Sequence, residues 1–140
     1  MSGRKVLIVE DHQSSREGLA IALKSSGFEM LQAGSRKDAL PLLVDGQLAA
    51  VISEFKLPDG NGLDLLAQLK KSGLDRPVIF VTAYGTMSSA IQAMKMGAAD
   101  FLVKPVTAKD ITDALTSAIK KRDLVRAKEG LESALAPSQP

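Results

Sequence analysis

Five short apolar runs, each followed by a longer stretch with helical spacing, constrain this chain more than any other feature. Val6-Leu7-Ile8-Val9 is the first run, β-branched and suited to a strand buried on both faces. A helix is expected over about 14–26, with Ser14 and Glu17 at capping-box spacing and Gly27 beyond its end. Residues 29–33 read as a weaker second strand. Ser35 and Asp38 repeat the cap signal before Ala39, Leu40, Leu42 and Leu43, and Pro41 is expected in the first turn or so of that helix. Ala49-Ala50-Val51-Ile52 is the third strand, followed by a turn cluster, Pro58-Asp59-Gly60-Asn61-Gly62. The next helix uses Leu63, Leu65, Leu66 and Leu69 and stops near Gly73. Pro77-Val78-Ile79-Phe80-Val81 is the fourth strand, residues 86–96 the fourth helix, and Phe101-Leu102-Val103 the fifth strand. Thr107 and Asp110 open the last helix.

The order is βαβαβαβαβα, which argues for an α/β domain with a parallel sheet covered by helices on both faces. A length of 140 residues suits one such domain. There is no cysteine, which excludes disulfides, thiol nucleophiles and Cys-ligated metals. No apolar run reaches the roughly 20 residues of a membrane helix, and the N-terminus lacks a secretory pattern, so a cytoplasmic protein is expected. Residues 104–128 carry seven basic and three acidic side chains. Without interleaved aromatics, that stretch reads as a solvated helix face and not as a nucleic-acid site.

The last helix continues past residue 120 through Leu124, Val125, Leu131 and Leu135. We read 1–122 as the domain and 123–140 as an extended helix and linker. Leu124, Ala127, Leu131 and Ala134 have coiled-coil-like spacing. A homodimer seam is one reading of them, and packing on the domain's own surface is the other.

In an open parallel sheet, ligands bind beyond the carboxyl ends of the strands. The first strand ends in Glu10-Asp11, the third near Ser53-Glu54, the fourth in Thr82-Ala83 and the fifth in Lys104-Pro105. Three carboxylates, a hydroxyl and an ammonium would converge on one rim. Carboxylates are what a hard cation such as Mg²⁺ prefers, and Thr and Lys are donors suited to phosphoryl oxygens. Singly, Asp11 reads as a helix cap, Thr82 as a strand end and Lys104 as a solvated charge. At four strand ends together, one shared site is the better reading.

The set of motifs resembles the response-regulator receiver domain of two-component signalling, over about residues 4–122. The matching segments are Val-Leu-Ile-Val-Glu-Asp at 6–11, Leu-Pro-Asp-Gly-Asn-Gly-Leu at 57–63, Val-Thr-Ala-Tyr-Gly at 81–85, and Gly-Ala-Ala-Asp-Phe-Leu-Val-Lys-Pro at 97–105. The stretch from Thr82 to Pro105 is most similar to receivers of nitrogen-regulator-type transcription activators. The resemblance implies a doubly wound, flavodoxin-like (βα)5 sandwich with strand order 2-1-3-4-5. It implies Mg²⁺ held by Glu10, Asp11, the acceptor carboxylate and the Lys56 carbonyl. It also implies Thr82 as switch hydroxyl, Phe101 as the aromatic that repacks with it, Lys104 on the phosphoryl oxygens, and a cis bond before Pro105. A sensor histidine kinase or phosphotransfer protein would be the upstream partner. A downstream effector would be reached through helix four, strand five and helix five.

At the acceptor position the family carries Asp, and this chain carries Glu54. A carboxylate one methylene longer reaches about 1 Å further, and such misplacement costs about 10²-fold in rate. Weak or absent phosphorylation is therefore expected, or a partly active-like state in which Glu54 accepts bonds from Lys104 and Thr82. One charge and two oxygens imitate a phosphoryl group of about −1.5 to −2 charge only in part. Asp59, in the turn beyond, is a poor substitute acceptor. Ser53 is expected on the opposite face of the strand. His12 reads as a surface residue, and Met87, Met94 and Met96 as filler.

Other classes fit less well. A Mg²⁺-dependent phosphohydrolase needs a nucleophilic Asp at a strand end, so an enzyme is not expected. A flavin site needs a hydroxyl-rich loop after strand one and aromatic stacking groups, whereas His12-Gln13-Ser14-Ser15 and the single Tyr84 supply neither. A phosphorylation-independent interaction domain is the conservative alternative.

Overall fold

The computed structural model describes residues 4–135. Its strands are β1 (Lys5–Val9), β2 (Glu29–Ala33), β3 (Leu48–Ser53), a two-residue pair β4 (Lys56–Leu57) and β5 (Gly60–Asn61), then β6 (Val78–Thr82) and β7 (Asp100–Val103). Its helices are α1 (Gln13–Lys24), α2 (Arg36–Leu43), α3 (Gly62–Lys71), α4 (Met87–Lys95) and α5 (Ala108–Leu135). The five long strands form one parallel sheet in the order β2-β1-β3-β6-β7. This is the expected 2-1-3-4-5 order, with β6 and β7 as the fourth and fifth expected strands.

Strand alternation divides the apolar residues between two cores. Val6 and Ile8 of β1, with Ile52, Ile79 and Val81, face Ala20 and Leu23 of α1 and Ile111, Leu115 and Ile119 of α5. Leu7 and Val9, with Val51, Val78 and Phe80, face Leu43 of α2 and Leu65, Leu66 and Leu69 of α3. Both faces are covered, so β1 from Val6, β3 as far as Ile52 and β6 as far as Val81 are apolar without interruption. Each buried Leu or Ile contributes about 1.5–3 kcal/mol relative to exposure.

The helix ends follow local chemistry. Thr107 Oγ1 accepts the Asp110 N–H and Asp110 Oδ2 accepts the Thr107 N–H, both at 3.0 Å, a reciprocal cap at the start of α5. Ser35 Oγ accepts the Asp38 N–H at 3.1 Å and caps α2. Ser14 does not cap α1. The helix starts at Gln13 with His12 as an uncapped first residue, because the His12 carbonyl already accepts the Arg16 N–H at 2.9 Å. Pro41 lies in the second turn of α2 and not in its first. It is exposed, so the carbonyl its missing N–H would have served is left to water. Gly27 and Gly97 end α1 and α4 with φ of +97°, a conformation that disfavours any side chain.

The cluster Pro58 to Asn61 forms a small hairpin, with Lys56 opposite Asn61 and Leu57 opposite Gly60. Its Asp59 reaches α2, where its two oxygens accept the Arg36 and Lys37 N–H groups at 2.8 Å each. The last helix is continuous through Leu135. Its last fully packed residue is Ile119, and Arg122 keeps only 12% of its side chain exposed. Leu124, Ala127, Leu131 and Ala134 are exposed, so this row does not pack on the domain's own surface. Residues 136–140 of the expected linker lie outside the described residues.

Candidate functional site

The sheet order reverses between β1 and β3, and the loops that leave them at the carboxyl edge are pulled apart in opposite directions. The Glu54 N–H donates to the Val9 carbonyl at 2.8 Å and the Glu10 N–H to the Ala33 carbonyl at 3.0 Å. These bonds fix the backbone of both acidic residues beside one another. Strand alternation then puts Glu10 on the side of Ile8 and Glu54 on the side of Ile52.

Both carboxylates are more than nine-tenths buried. Lys104, at the end of β7, is the cation between them: its Nζ lies 3.3 Å from Glu10 Oε1 and 3.6 Å from Glu54 Oε1. Its backbone is set by its N–H, which donates to the Thr82 carbonyl at 2.8 Å. Glu10 Oε2 is buried without a hydrogen-bond partner. Burial raises the Glu10 carboxyl above its ordinary value, and the Lys104 charge pulls it partly back. Glu54 Oε2 accepts the Phe55 N–H and, at 3.4 Å, the Lys56 N–H, so its own loop holds half of the carboxylate.

Asp11 is more open. Its Oδ1 lies 3.5 Å from His12 Nδ1, which also lies 4.0 Å from Glu10 Oε2. One donor atom each from Glu10, Asp11 and His12 lies within 4.8 Å of the others. Glu54 stands outside that set, on the Lys104 side. His12 is therefore closer to the acidic pair than its reading as a plain surface residue suggests, although its side chain is 74% exposed.

Thr82 is fully buried, and its Oγ1 accepts the Tyr84 N–H at 3.1 Å. Glu54 thus receives Lys104 but not Thr82, whose hydroxyl closes a local turn with its own loop. Phe101 packs edge-on against Phe55, 5.5 Å between ring centres, and lies 6.1 Å from Phe80. The Lys104–Pro105 peptide bond is cis. The Lys56 side chain points out of the site, its Nζ 4.8 Å above the Tyr84 ring. Ser53 is buried, and its hydroxyl donates to the Glu54 carbonyl at 2.8 Å.

Arg16 was not legible as part of the site. Its Nη1 donates to the Glu10 carbonyl at 2.8 Å and its Nε to Gln32 at 3.2 Å, which ties α1 to the edge of β1 and β2. Its place in the first turn after the acidic pair is the one signal the sequence offers.

The profile of the response regulator receiver domain matches residues 6–116. PilR of Pseudomonas aeruginosa, a response regulator protein, is 37% identical over 88% of this chain and 28% of its own length. PhoB of the same organism, a phosphate regulon transcriptional regulatory protein, is 32% identical over 86% of this chain and 54% of its own. The chain thus spans only part of these curated relatives. A response regulator receiver domain protein from Clostridium thermocellum superposes with a TM-score of 0.82 and 32% identity, over 89% of this chain and 99% of that one. NtrX from Brucella abortus superposes with a TM-score of 0.83 and 28% identity, over 94% of this chain and 29% of that one. With its sheet order and its acidic carboxyl edge, the chain belongs to the response-regulator receiver domain family of two-component systems.

Proposed function

We propose that this chain is an atypical receiver whose acceptor position, Glu54, is phosphorylated weakly or not at all, and whose pocket is biased toward an active-like arrangement. The observation that carries this reading is the Lys104 ammonium, already shared between Glu10 and Glu54 at 3.3 and 3.6 Å. An incoming phosphoryl group would have to displace Glu54 from that lysine. The bias is partial, because Thr82 bonds Tyr84 and not Glu54.

The donor set fits a hard divalent cation such as Mg²⁺. Glu10 Oε2 is a buried oxygen without a hydrogen-bond partner, and Asp11 lies beside it. Glu10 and Asp11 would be the principal ligands, with the Lys56 carbonyl and Glu54 completing the shell. The cation would supply positive charge against phosphoryl oxygens. Lys104 would contact those oxygens, Thr82 would turn onto them, and Phe101 would follow it inward.

The signalling face in this reading is α4, β7 and α5. Met87 is 81% exposed there, and Ile91, Met94 and Val103 are about half exposed. A histidine kinase or phosphotransfer protein would act upstream and an effector domain or protein downstream. Residues 1–122 would form the receiver unit and 123–140 an extended helix and linker that joins two copies. The same apolar face favours a second reading, a protein-interaction domain that works without phosphorylation.

The test is incubation with Mg²⁺ and a small acyl-phosphate donor, read by intact mass, for this chain and for Glu54→Asp. The variant gains the phosphoryl increment and the parent gains little or none. Equal labelling of the two would remove the impaired-acceptor reading.

A further inference from the structure

Three consecutive residues leave β1 with their donor atoms around one gap. His12 Nδ1 lies 3.5 Å from Asp11 Oδ1 and 4.0 Å from Glu10 Oε2. Both separations exceed the about 2.7–3.2 Å of a hydrogen bond, so the imidazole is not bonded directly to either carboxylate. Both are shorter than about 4.2 Å, which is twice a metal–ligand bond of about 2.1 Å. One ion can therefore bridge His12 to either carboxylate with the donors where they stand.

A second observation points to a ligand in that gap. The Glu10 side chain is only 8% exposed, and its Oε2 has no hydrogen-bond partner. Lys104 serves the other oxygen, Oε1. An imidazolium paired with Asp11 would explain the 3.5 Å approach and would still leave Oε2 without a donor. A bare ion comes closer to an oxygen than any N–H donor does, which suits an oxygen with so little room around it.

The backbone holds the three residues in place. The His12 carbonyl accepts the Arg16 N–H at 2.9 Å, and Arg16 Nη1 donates to the Glu10 carbonyl at 2.8 Å. The first turn of α1 thus anchors both ends of the trio.

Donor chemistry selects the class of ion. Mg²⁺ takes oxygen ligands. Imidazole suits Zn²⁺, Cu²⁺ and Ni²⁺, and carboxylates bind these ions as well.

We infer that His12 is a third protein ligand of the cation site and gives it affinity for an imidazole-accepting transition ion such as Zn²⁺. This inference rests on the reading of Glu10 and Asp11 as cation ligands.

The chain has one histidine, so its imidazole is an unambiguous reporter. The ¹⁵N-labelled full chain is titrated with Zn²⁺ alone and with Mg²⁺ alone, and backbone amides and imidazole nitrogens are followed. Zn²⁺ displaces the Nδ1 resonance saturably, together with the amides of residues 10–12. Mg²⁺ moves those amides and leaves Nδ1 in place. The His12 side chain is 74% exposed and makes no cap bond, so His12→Ala removes the imidazole without removing a fold contact. It weakens Zn²⁺ by at least about tenfold more than it weakens Mg²⁺, the least that losing even an outer-shell group costs a metal site. Asp11→Asn, checked for a dispersed spectrum, abolishes the Nδ1 displacement at the same Zn²⁺ concentration.

The inference is overturned by an Nδ1 resonance that ignores Zn²⁺, by equal weakening of both ions in His12→Ala, or by an undiminished Nδ1 response in folded Asp11→Asn, which would mean zinc on a lone surface histidine. If Mg²⁺ shifts the amides and Zn²⁺ leaves the imidazole in place, the inference alone falls. If Zn²⁺ displaces Nδ1 and Mg²⁺ has no effect, the inference stands and the Mg²⁺ reading falls. If neither ion shifts anything, both fall.

Discussion

The Lys104 ammonium sits 3.6 Å from Glu54 Oε1, and the glutamate is buried while the lysine remains one-third exposed. The same ammonium is the hydrogen-bond donor for Glu10. Lys104→Met would leave two buried carboxylates facing each other. Removing one partner of a buried pair is costly, but solvent at the lysine screens the interaction, so a loss of about 1–2 kcal/mol is expected. Urea unfolding at neutral pH measures it. A midpoint that does not move would mean that the shared lysine contributes nothing to stability.

The Glu10 carboxyl has an opposite consequence for pH. Burial raises it above its ordinary value of 4.5. A carboxyl with a raised folded value holds its proton in the folded chain after the unfolded chain has released it. Stability therefore falls as pH rises through the interval between the two values. Glu10→Gln should flatten that part of the profile, measured without divalent cations. Mg²⁺ should stabilise the parent at neutral pH by about 2.7 kcal/mol at a concentration 100 times its dissociation constant. That gain should shrink as acid protonates Glu10, and should vanish in the variant.

Two glycines make a paired test of packing. A Cβ on Gly62 would collide with the Phe80 ring, which is fully buried and cannot retreat. Gly62→Ala is expected to cost about 1–3 kcal/mol by overpacking, which outweighs the usual helix gain. Gly18→Ala meets only open space and should stabilise the chain by about 0.5–1 kcal/mol. Chemical denaturation of both variants gives the two signs, and the same sign for both would refute the packing account.

Much of this fold was legible because a sheet covered on both faces needs uninterrupted apolar strands, and Val6 to Val9 or Val78 to Val81 admit few alternatives. The convergence of Glu10, Glu54 and Lys104 followed from strand order. Details set by local competition did not. Ser14 has the residue type of a cap, but the helix begins at Gln13 and its cap position falls two residues earlier, on His12. Glu54 was free, by composition, to take either Thr82 or its own loop, and the Phe55 N–H adjacent in sequence won. His12 gave no sign of its approach to Asp11, because a side-chain rotamer decides it.

Asp59 shows the same limit, since it reads as a turn residue and serves α2. The Lys37 and Arg36 N–H groups hold its carboxyl below the ordinary 3.8. Its contribution is complete above that value and is lost as pH falls through the lower folded value. Asp59→Asn should lower the unfolding midpoint at neutral pH, and the gap from the parent should close in acid. A gap of constant size down to the most acidic pH would show that charge is not what the helix terminus uses.

The exposed row on α5 carries the last prediction. Leu124 is 62% and Leu131 59% exposed, with Ala127 and Ala134 completing a spacing of three, four and three residues. An isolated helix of this length would be marginal, but here it extends a helix already anchored through Ile119. The nucleation cost is therefore met by the domain, and a second copy could cover the two leucines, each worth about 1.5–3 kcal/mol when buried. Two heptads and the cost of association leave a weak dimer, with a dissociation constant on the order of micromolar to millimolar. Sedimentation equilibrium over a concentration series should show mass rising toward that of two chains. Leu124→Asp with Leu131→Asp should restore the monomer without altering the pocket. A parent that remains monomeric at the highest soluble concentration would end the dimer reading.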